Sequence, residues 1–390
     1  MRVLFVAHSF PRFVGDVAGS FLHRLAGALQ TAGATVRVVA PGGPGLASED
    51  EVAGVAVRRV RYAPRRHETL AYTGTMADAV RGGWAPRFAL GGLVAATAAR
   101  VRSEARRWRA DLIHAHWWFP GGLSATLPLV AGKCPVVLTL HGSDVRLART
   151  LAPARALYAT VARRAATVTA VSAWLSREAQ HMAPDVPCEV ARMPVDAARF
   201  TPPPDDAPRE GVLFVGRLTA QKGVDRLLAA MARASHGARL TVCGSGPEEA
   251  RLRHLAHTLG IAERVEWAPV MGPAALAAYY RRAAVLAVPS TEEGLGLVAV
   301  EAGLCETPAV GFASGGLPDV IQDARTGRLV PPGDVDGFAS AIDDLLARPD
   351  EARRLGRNAA AAAGDFRPEV TAARFLAVYH RVQAQRRGPA

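Results

Sequence analysis

The sequence predicts an α/β chain built as two doubly wound domains. Three observations carry that expectation. Short apolar runs recur along the whole chain, each followed by a glycine-bearing turn and a helix-like segment. At 390 residues the chain exceeds one ordinary domain. A proline-rich stretch, Thr201-Pro202-Pro203-Pro204-Asp205-Asp206-Ala207-Pro208, separates two such series and reads as a linker. The expected division is 1–200, 201–365 and a terminal helix in 366–390.

The first series opens with a strand at 2–7. A turn carrying Pro11, Gly15, Asp16 and Gly19 leads to a helix at 17–31, with Phe21, Leu22, Leu25 and Leu29 at helical spacing. Gly33 ends it and 35–40 forms the next strand. The turn lies at the carboxyl end of the first strand, where open parallel sheets bind ligands, but it does not match G-x-G-x-x-G. Residues 41–90 read as loops with short strands. A helix at 93–107 precedes a buried strand ending in His114-Ala115-His116. Trp117, Trp118, Phe119 and Pro120 follow: a sugar or lipid platform, or packing at a domain edge. The strand 136–140 ends at His141-Gly142-Ser143-Asp144, with Asp144 placed to orient His141. Strands at 168–171 and 189–191 flank a helix at 173–181.

The second series runs from the strand 212–215 through Gly216-Arg217 and Gln221-Lys222-Gly223 into a helix. The strand 240–243 ends in Gly244-Ser245-Gly246-Pro247, and the strand 265–267 in a loop at 269–272 containing Met271. A helix at 274–282 leads to the strand 285–288. Strands at 308–312 and 329–330 come next, then helices at 335–347, 352–363 and 366–385. Asp334-Val335-Asp336 has a metal-like D-x-D spacing, but it opens a helix, so Asp334 is read as an N-cap and no metal site is expected.

The segment after 285–288 is the most informative. Glu293 and Glu301 bracket a turn holding Gly294, Leu295 and Gly296, then a helix that begins near Leu297 and Val298. Glycines admit a close backbone approach, and a helix start offers N–H groups to an anion. Two carboxylates about such a turn suit a nucleotide diphosphate with hydroxyl-binding groups at each end, and on the turn alone equally an ordinary strand–turn–helix with two surface glutamates. The eight-residue spacing corresponds to about two turns if both lie on one helix.

Composition narrows the function class. Residues 1–200 hold 25 Lys and Arg against 13 Asp and Glu, whereas 201–390 hold 22 of each. The net charge of +12 therefore lies in the first half. That suggests an anionic partner, either a membrane surface or a phosphorylated acceptor, or equally a solvated arginine-rich surface; nucleic acid is the lesser expectation, since no motif is present. The chain starts directly in a strand-like run, and no apolar segment is long enough to span a bilayer. Cys134, Cys188, Cys243 and Cys305 show no C-x-x-C spacing. The expected setting is cytoplasmic, with peripheral contact to an anionic membrane open.

Taken together, these residues resemble retaining glycosyltransferases of the GT-B fold, family 4. The resemblance rests on Gly216-Arg217…Lys222-Gly223, Gly244-Ser245-Gly246-Pro247, the E-x7-E pair Glu293 and Glu301, Gly315-Gly316-Leu317-Pro318-Asp319 and Thr326-Gly327-Arg328. In the first half, His114-Ala115-His116 and His141-Gly142-Ser143-Asp144 match acceptor-side markers. The resemblance implies two Rossmann-like domains facing a central cleft. The N-terminal one would bind the acceptor and the C-terminal one a nucleotide sugar, a UDP-sugar first, with no cofactor. Arg217 and Lys222 would neutralise the diphosphate with the N–H groups of Gly296, Leu297 and Val298. Glu301 would bind the ribose, Glu293 the donor sugar, the segment 269–272 the base, and His141 the transferred sugar. Gly15 would face the diphosphate, with Asp16, His116 and Trp117 on the acceptor side. Transfer with retention by a front-face route is implied. Two departures stand out: Met193-Pro194-Val195-Asp196 replaces an Asn-Gly-containing run, and Val14-Gly15-Asp16 replaces a Gly-Gly pair. The rival readings are a GDP-sugar mannosyl-type transferase on a lipid-linked acceptor, an epimerase or phosphorylase on the same fold, and a non-catalytic binding subunit.

Overall fold

A computed structural model describes residues 1–72, 76–81, 83–132, 134–204 and 207–387. Asp205 and Asp206 of the expected linker lie outside the described residues. The chain divides into two compact units, residues 1–194 with 368–390, and residues 195–367. The first boundary thus falls six residues before the expected 200/201, and the terminal helix clusters with the first unit. On these bounds the charge asymmetry sharpens, to +15 for the first unit and −3 for the second.

The first unit holds β1 (Arg2–Val6), β2 (Thr35–Pro41), β3 (Glu49–Val52), β4 (Val55–Val60), β5 (Leu112–His116), β6 (Val136–Leu140), β7 (Thr167–Ala170) and β8 (Cys188–Val190). Their order in the sheet is β3-β4-β2-β1-β5-β6-β7-β8. Only β3 runs antiparallel, against β4. All five residues of β5 and of β6 are buried, as in a parallel sheet covered on both faces. The strand order turns back between β1 and β5, so the loops after these strands splay apart there.

Three sequence expectations shift. The first helix is Ser20–Thr31, beginning after Gly19. Residues 41–90 hold the short strands expected there, β3 and β4, and in addition the helix Met76–Arg81. The helix expected at 93–107 spans Trp84–Arg107, running through Gly91-Gly92 because Ala89, Leu93 and Val101 bury one face. Packing there outweighs the poor helix propensity of glycine. The terminal helix Pro368–Arg387 packs on Ser20–Thr31 and buries Ala372, Phe375, Tyr379 and Val382.

The second unit holds β9 (Glu210–Val215), β10 (Leu240–Cys243), β11 (Val265–Ala268), β12 (Ala283–Val288), β13 (Ala309–Phe312) and β14 (Gly327–Val330). The order is β11-β10-β9-β12-β13-β14, with parallel pairing throughout. This is the doubly wound order of a mononucleotide-binding pair, with its switch point between β9 and β12. The helix Val224–Arg233 buries Val224, Leu227, Leu228 and Met231, the i, i+3, i+4, i+7 stripe of an amphipathic helix. Asp334 caps Val335–Ala347: its carboxylate accepts from the Gly337 N–H at 2.8 Å. Asp336 instead pairs with Arg233 at 2.7 Å.

Candidate active site

The loops after β9, β12 and β13 meet at the carboxyl edge of the second sheet. Their contact is made by backbone groups that side-chain motifs do not announce. The Thr291 N–H donates to the Gln221 carbonyl at 3.0 Å, and Gln221 Nε2 donates to the Glu292 carbonyl at 3.2 Å. The Glu292 N–H donates to Ser314 Oγ at 3.0 Å, and the Gly316 N–H to the Glu293 carbonyl at 2.7 Å. Glu292 is held at φ 54°, a left-handed conformation rare for a residue with a side chain. Strain of this kind persists only where neighbours over-determine it, and it clusters at ligand sites.

That framework brings Lys222 to Glu293. Lys222 Nζ lies 2.7 Å from Glu293 Oε2, with both side chains mostly covered. Glu293 stands in the turn before the helix Leu297–Leu304, not on it, so it does not share a helical face with Glu301. Gly296 is the N-cap, at φ 87°, and Leu297 and Val298 form the first turn. A side chain at Gly296 would collide with Leu317, so this glycine serves packing between the loops as well as approach to a ligand. Glu301 is buried in the helix, and the Tyr280 O–H donates to its Oε2 at 3.0 Å. Burial, reinforced by Glu301, pushes the Tyr280 phenol well above its ordinary range, so it stays a donor.

The loop after β10 closes the other side. The Gly216 N–H donates to the Cys243 carbonyl at 3.0 Å and the Leu218 N–H to the Ser245 carbonyl at 2.9 Å. Gly244 and Gly246 thereby lie against Gly216 and Leu218. Arg217 is exposed between these loops, and Met271 is half-buried in the loop after β11. Arg217, Lys222, Gly244, Gly246, Met271, Glu293, Gly294, Leu295, Gly296 and Glu301 thus all belong to one edge of one unit. The sequence reading missed Gln221, Tyr280 and Ser314. Each contributes through hydrogen bonds to a segment at least 21 positions away, which no local pattern encodes.

The first-unit candidates need correction. Asp144 does not orient the His141 ring and does not line an open surface. Its buried carboxylate accepts from the backbone N–H groups of His141 (3.1 Å), Gly142 (2.9 Å) and Trp118 (3.1 Å), fixing the loop after β6 to the loop after β5. Burial nonetheless raises its pKa, with these bonds opposing. His116 is fully buried, because β5 is covered on both faces. Trp117 and Trp118 form no platform. Trp117 is 7% exposed and packs at a tilt against His8 and His141, at 4.1 and 4.5 Å between ring centroids. Trp118 is 1% exposed and donates its indole N–H to the Asp144 carbonyl at 2.6 Å. Asp16 is buried against Arg12 at 2.7 Å, which with the Ala18 N–H holds its carboxyl below the usual range against the cost of burial. Gly15 stands exposed in the same loop.

His141 remains half-buried at the end of β6, and its Nε2 lies 3.2 Å from His116 Nδ1. His114 links Tyr379 (2.7 Å) to Thr139 (2.6 Å). Burial lowers the pKa of His114 to about 3 and of His116 well below the ordinary value. Both rings are therefore neutral when folded and protonate near pH 6.5 when unfolded. The unfolded chain then binds more protons below that pH, and stability falls as pH is lowered from about 6.5. Urea midpoints measured between pH 7 and pH 4.5 should drop, at up to about 1.4 kcal/mol per pH unit for each of these histidines. His114→Gln should flatten the slope.

Among the described residues, no group of three or more His, Cys, Asp or Glu is placed to hold a metal ion, and no helix is long and apolar enough to cross a membrane.

Comparison with known proteins agrees with this architecture. Residues 18–199 match the family described as Glycosyltransferase Family 4, and residues 200–362 match Glycosyl transferases group 1. A D-inositol 3-phosphate glycosyltransferase from Segniliparus rotundus is 36% identical over 302 residues, 70% of this chain and 66% of that protein. A GDP-mannose-dependent alpha-(1-6)-phosphatidylinositol monomannoside mannosyltransferase from Mycolicibacterium smegmatis is 33% identical over 266 residues, 61% of this chain and 69% of that protein. Sucrose-phosphate synthase from Thermosynechococcus elongatus superposes with a TM-score of 0.82 over 98% of both chains, at 23% identity. The chain therefore belongs to glycosyltransferase family 4, an enzyme family of GT-B fold.

Proposed function

We propose that the chain is a metal-independent, retaining glycosyltransferase that moves a sugar from a nucleotide-diphosphate sugar, a UDP-sugar in the first instance, to a hydroxyl of an anionic saccharide or lipid-linked acceptor. The observation that carries the donor half is the Lys222–Glu293 pair, 2.7 Å apart beside the switch point between β9 and β12. As the glycosidic bond breaks, negative charge grows on the β-phosphate. Lys222 and Arg217 offer cations to it, and the first turn of Leu297–Leu304 offers helix-terminal N–H groups. Glu293, released from Lys222 by the competing phosphate, binds hydroxyls of the sugar. Glu301, steadied by Tyr280, binds the ribose. The departing phosphate oxygen takes the acceptor proton as the acceptor oxygen bonds to the same face of C1, which gives retention.

The acceptor half rests on the charge of +15 in the first unit and on a cavity of about 500 Å³ there, lined by Arg12, Arg65, Arg66 and Tyr72. Arg65 and Arg66 are exposed and suited to a phosphate group. Trp84 and Phe88, 73% and 78% exposed one turn apart on Trp84–Arg107, fit a peripheral setting on an anionic membrane with a lipid-linked acceptor. A second donor is favoured by the name of the mycolicibacterial relative: a GDP-sugar carrying mannose.

One experiment tests the reading. UDP-glucose, UDP-N-acetylglucosamine and GDP-mannose are offered in EDTA with inositol phosphate, free inositol, or phosphatidylinositol in vesicles. The expected result is one donor giving a product of unchanged anomeric configuration, with the phosphorylated acceptor preferred at low salt. Dependence on a divalent metal, an inverted product, or epimerised nucleotide sugar without acceptor would overturn it.

A further inference from the structure

The paired histidines at the ends of β5 and β6 carry more than a packing role. His116 is fully buried, and its Nε2 has no hydrogen-bond partner. Its ring is walled by Phe5, His114 and His141, with centroids 4.7, 4.0 and 5.3 Å away. Its other nitrogen, Nδ1, sits 3.2 Å from His141 Nε2. Two neutral imidazoles sharing one such contact have one proton between them, and the direction of that bond fixes both tautomers.

The two arrangements differ in what they leave buried. If His141 donates, the His116 proton must be on Nε2, which strands an N–H inside an aromatic pocket. If His116 donates from Nδ1, only a lone pair is left there. Orphaned buried N–H groups are the rarer and costlier defect.

We propose that His116 is a positioning residue that donates its Nδ1–H to His141 Nε2, so that His141 presents a fixed Nδ1–H donor at the end of β6. His141 makes no other side-chain hydrogen bond among the described residues. Its ring packs at a tilt against Trp117 at 4.5 Å and Phe21 at 5.2 Å between centroids, which limits its rotation. A group so arranged cannot serve as a general base at Nδ1. It can donate one hydrogen bond of set direction to a hydroxyl or ring oxygen of a sugar. The burial that keeps both rings neutral at neutral pH maintains the pair in this state. The consequence for transfer rests on His141 meeting the transferred sugar, as the proposed function has it; the tautomer itself does not.

Nitrogen-15 NMR of the full chain labelled only at histidine, with His141 and His116 assigned by His141→Gln and His116→Phe, reads the tautomers directly. The expected spectrum at pH 7.5 has Nδ1 of protonated, pyrrole type and Nε2 of unprotonated type at both His141 and His116. In His116→Phe, which keeps an aromatic ring in the pocket and removes both nitrogens, His141 should move to averaged resonances. In His116→Asn, whose side-chain amide N–H reaches the Nδ1 position, the wild-type pattern should return in part. In transfer assays His116→Phe should lower kcat by about 10- to 100-fold with KM changed less than threefold, and His116→Asn should recover most of it. A pyridine-type His141 Nδ1 in the wild-type chain would overturn the proposal whatever the kinetics. A correct tautomer pattern with unaltered kcat in His116→Phe would leave the hydrogen bond standing but remove its role in transfer. Loss of transfer in the Glu293 variants, by contrast, tests the donor site and leaves the histidine spectrum unchanged.

Discussion

Lys222→Ala is expected to lower kcat/KM for the nucleotide sugar by about 10²- to 10³-fold, the usual loss when one preorganised charge-stabilising group is removed from a developing anion. Its melting temperature should stay close to that of the wild type. The Lys222–Glu293 pair is partly exposed, at 23% and 14% of the side chains, so its net contribution to folding is at most about 1 kcal/mol. Large kinetic and small thermal effects together distinguish a site pair from a structural one. Lys222→Arg should recover only part of the rate, because the ammonium acts as a point charge and a planar fork cannot occupy the same place. Glu293→Gln keeps the size of the side chain and removes its charge, and should also cost 10²-fold or more in kcat. If both residues act on the same bound donor, the double variant should lose far less than the product of the single losses. Simple multiplicativity, or a melting temperature lowered by many degrees in Lys222→Ala, would contradict a shared catalytic role.

The contrast between the two units shows which kinds of information a sequence carries in readable form. Lys222 and Glu293 lie in turns that follow apolar strands, and Glu301 in the helix after the second of these turns, where local spacing reveals both the element and the strand end it belongs to. Their convergence across 71 positions follows from strand order alone, since β9 and β12 are neighbours at the switch point. His116, Trp117 and Asp144 also follow strands and looked equally functional, yet they are buried. In β5 every residue is covered, so there is no in–out alternation to separate a histidine that faces ligand from one that faces the core. Asp144 is taken up by three backbone N–H groups, a use that side-chain type does not betray. The start of Trp84–Arg107 was hidden for a related reason: Gly91-Gly92 reads as a break, and only burial of Ala89, Leu93 and Val101 makes the helix continuous. The roles of Gln221, Tyr280 and Ser314 were invisible because each is defined by partners distant in the chain.

Those distant partners make Gly315 a sensitive backbone position of the site. It has φ 63°, and a Cβ there would stand 2.4 Å from the Glu293 carbonyl oxygen and 2.6 Å from the Glu293 nitrogen. Neither atom can turn aside as a side chain could, since the Gly316 N–H and the Ser314 hydroxyl already tie this segment down. Gly315→Ala therefore bears two costs: about 1–2 kcal/mol for an L-residue in the left-handed region, and about 1–3 kcal/mol for forcing the two loops apart. Gly333→Ala supplies the comparison. Gly333 has φ 85° but meets nothing within 4 Å, so only the first cost applies. Urea unfolding should thus place Gly315→Ala below Gly333→Ala by the second increment. The activities should diverge further, because displacing Glu293 by about 1 Å from Lys222 can cost on the order of 10²-fold in kcat/KM, while a Cβ at Gly333 presses on no neighbour within 4 Å. Equal stability losses would mean that the loop after β12 yields readily. In that case the strained Glu292, rather than the contact with Gly315, would be what holds Glu293 in place.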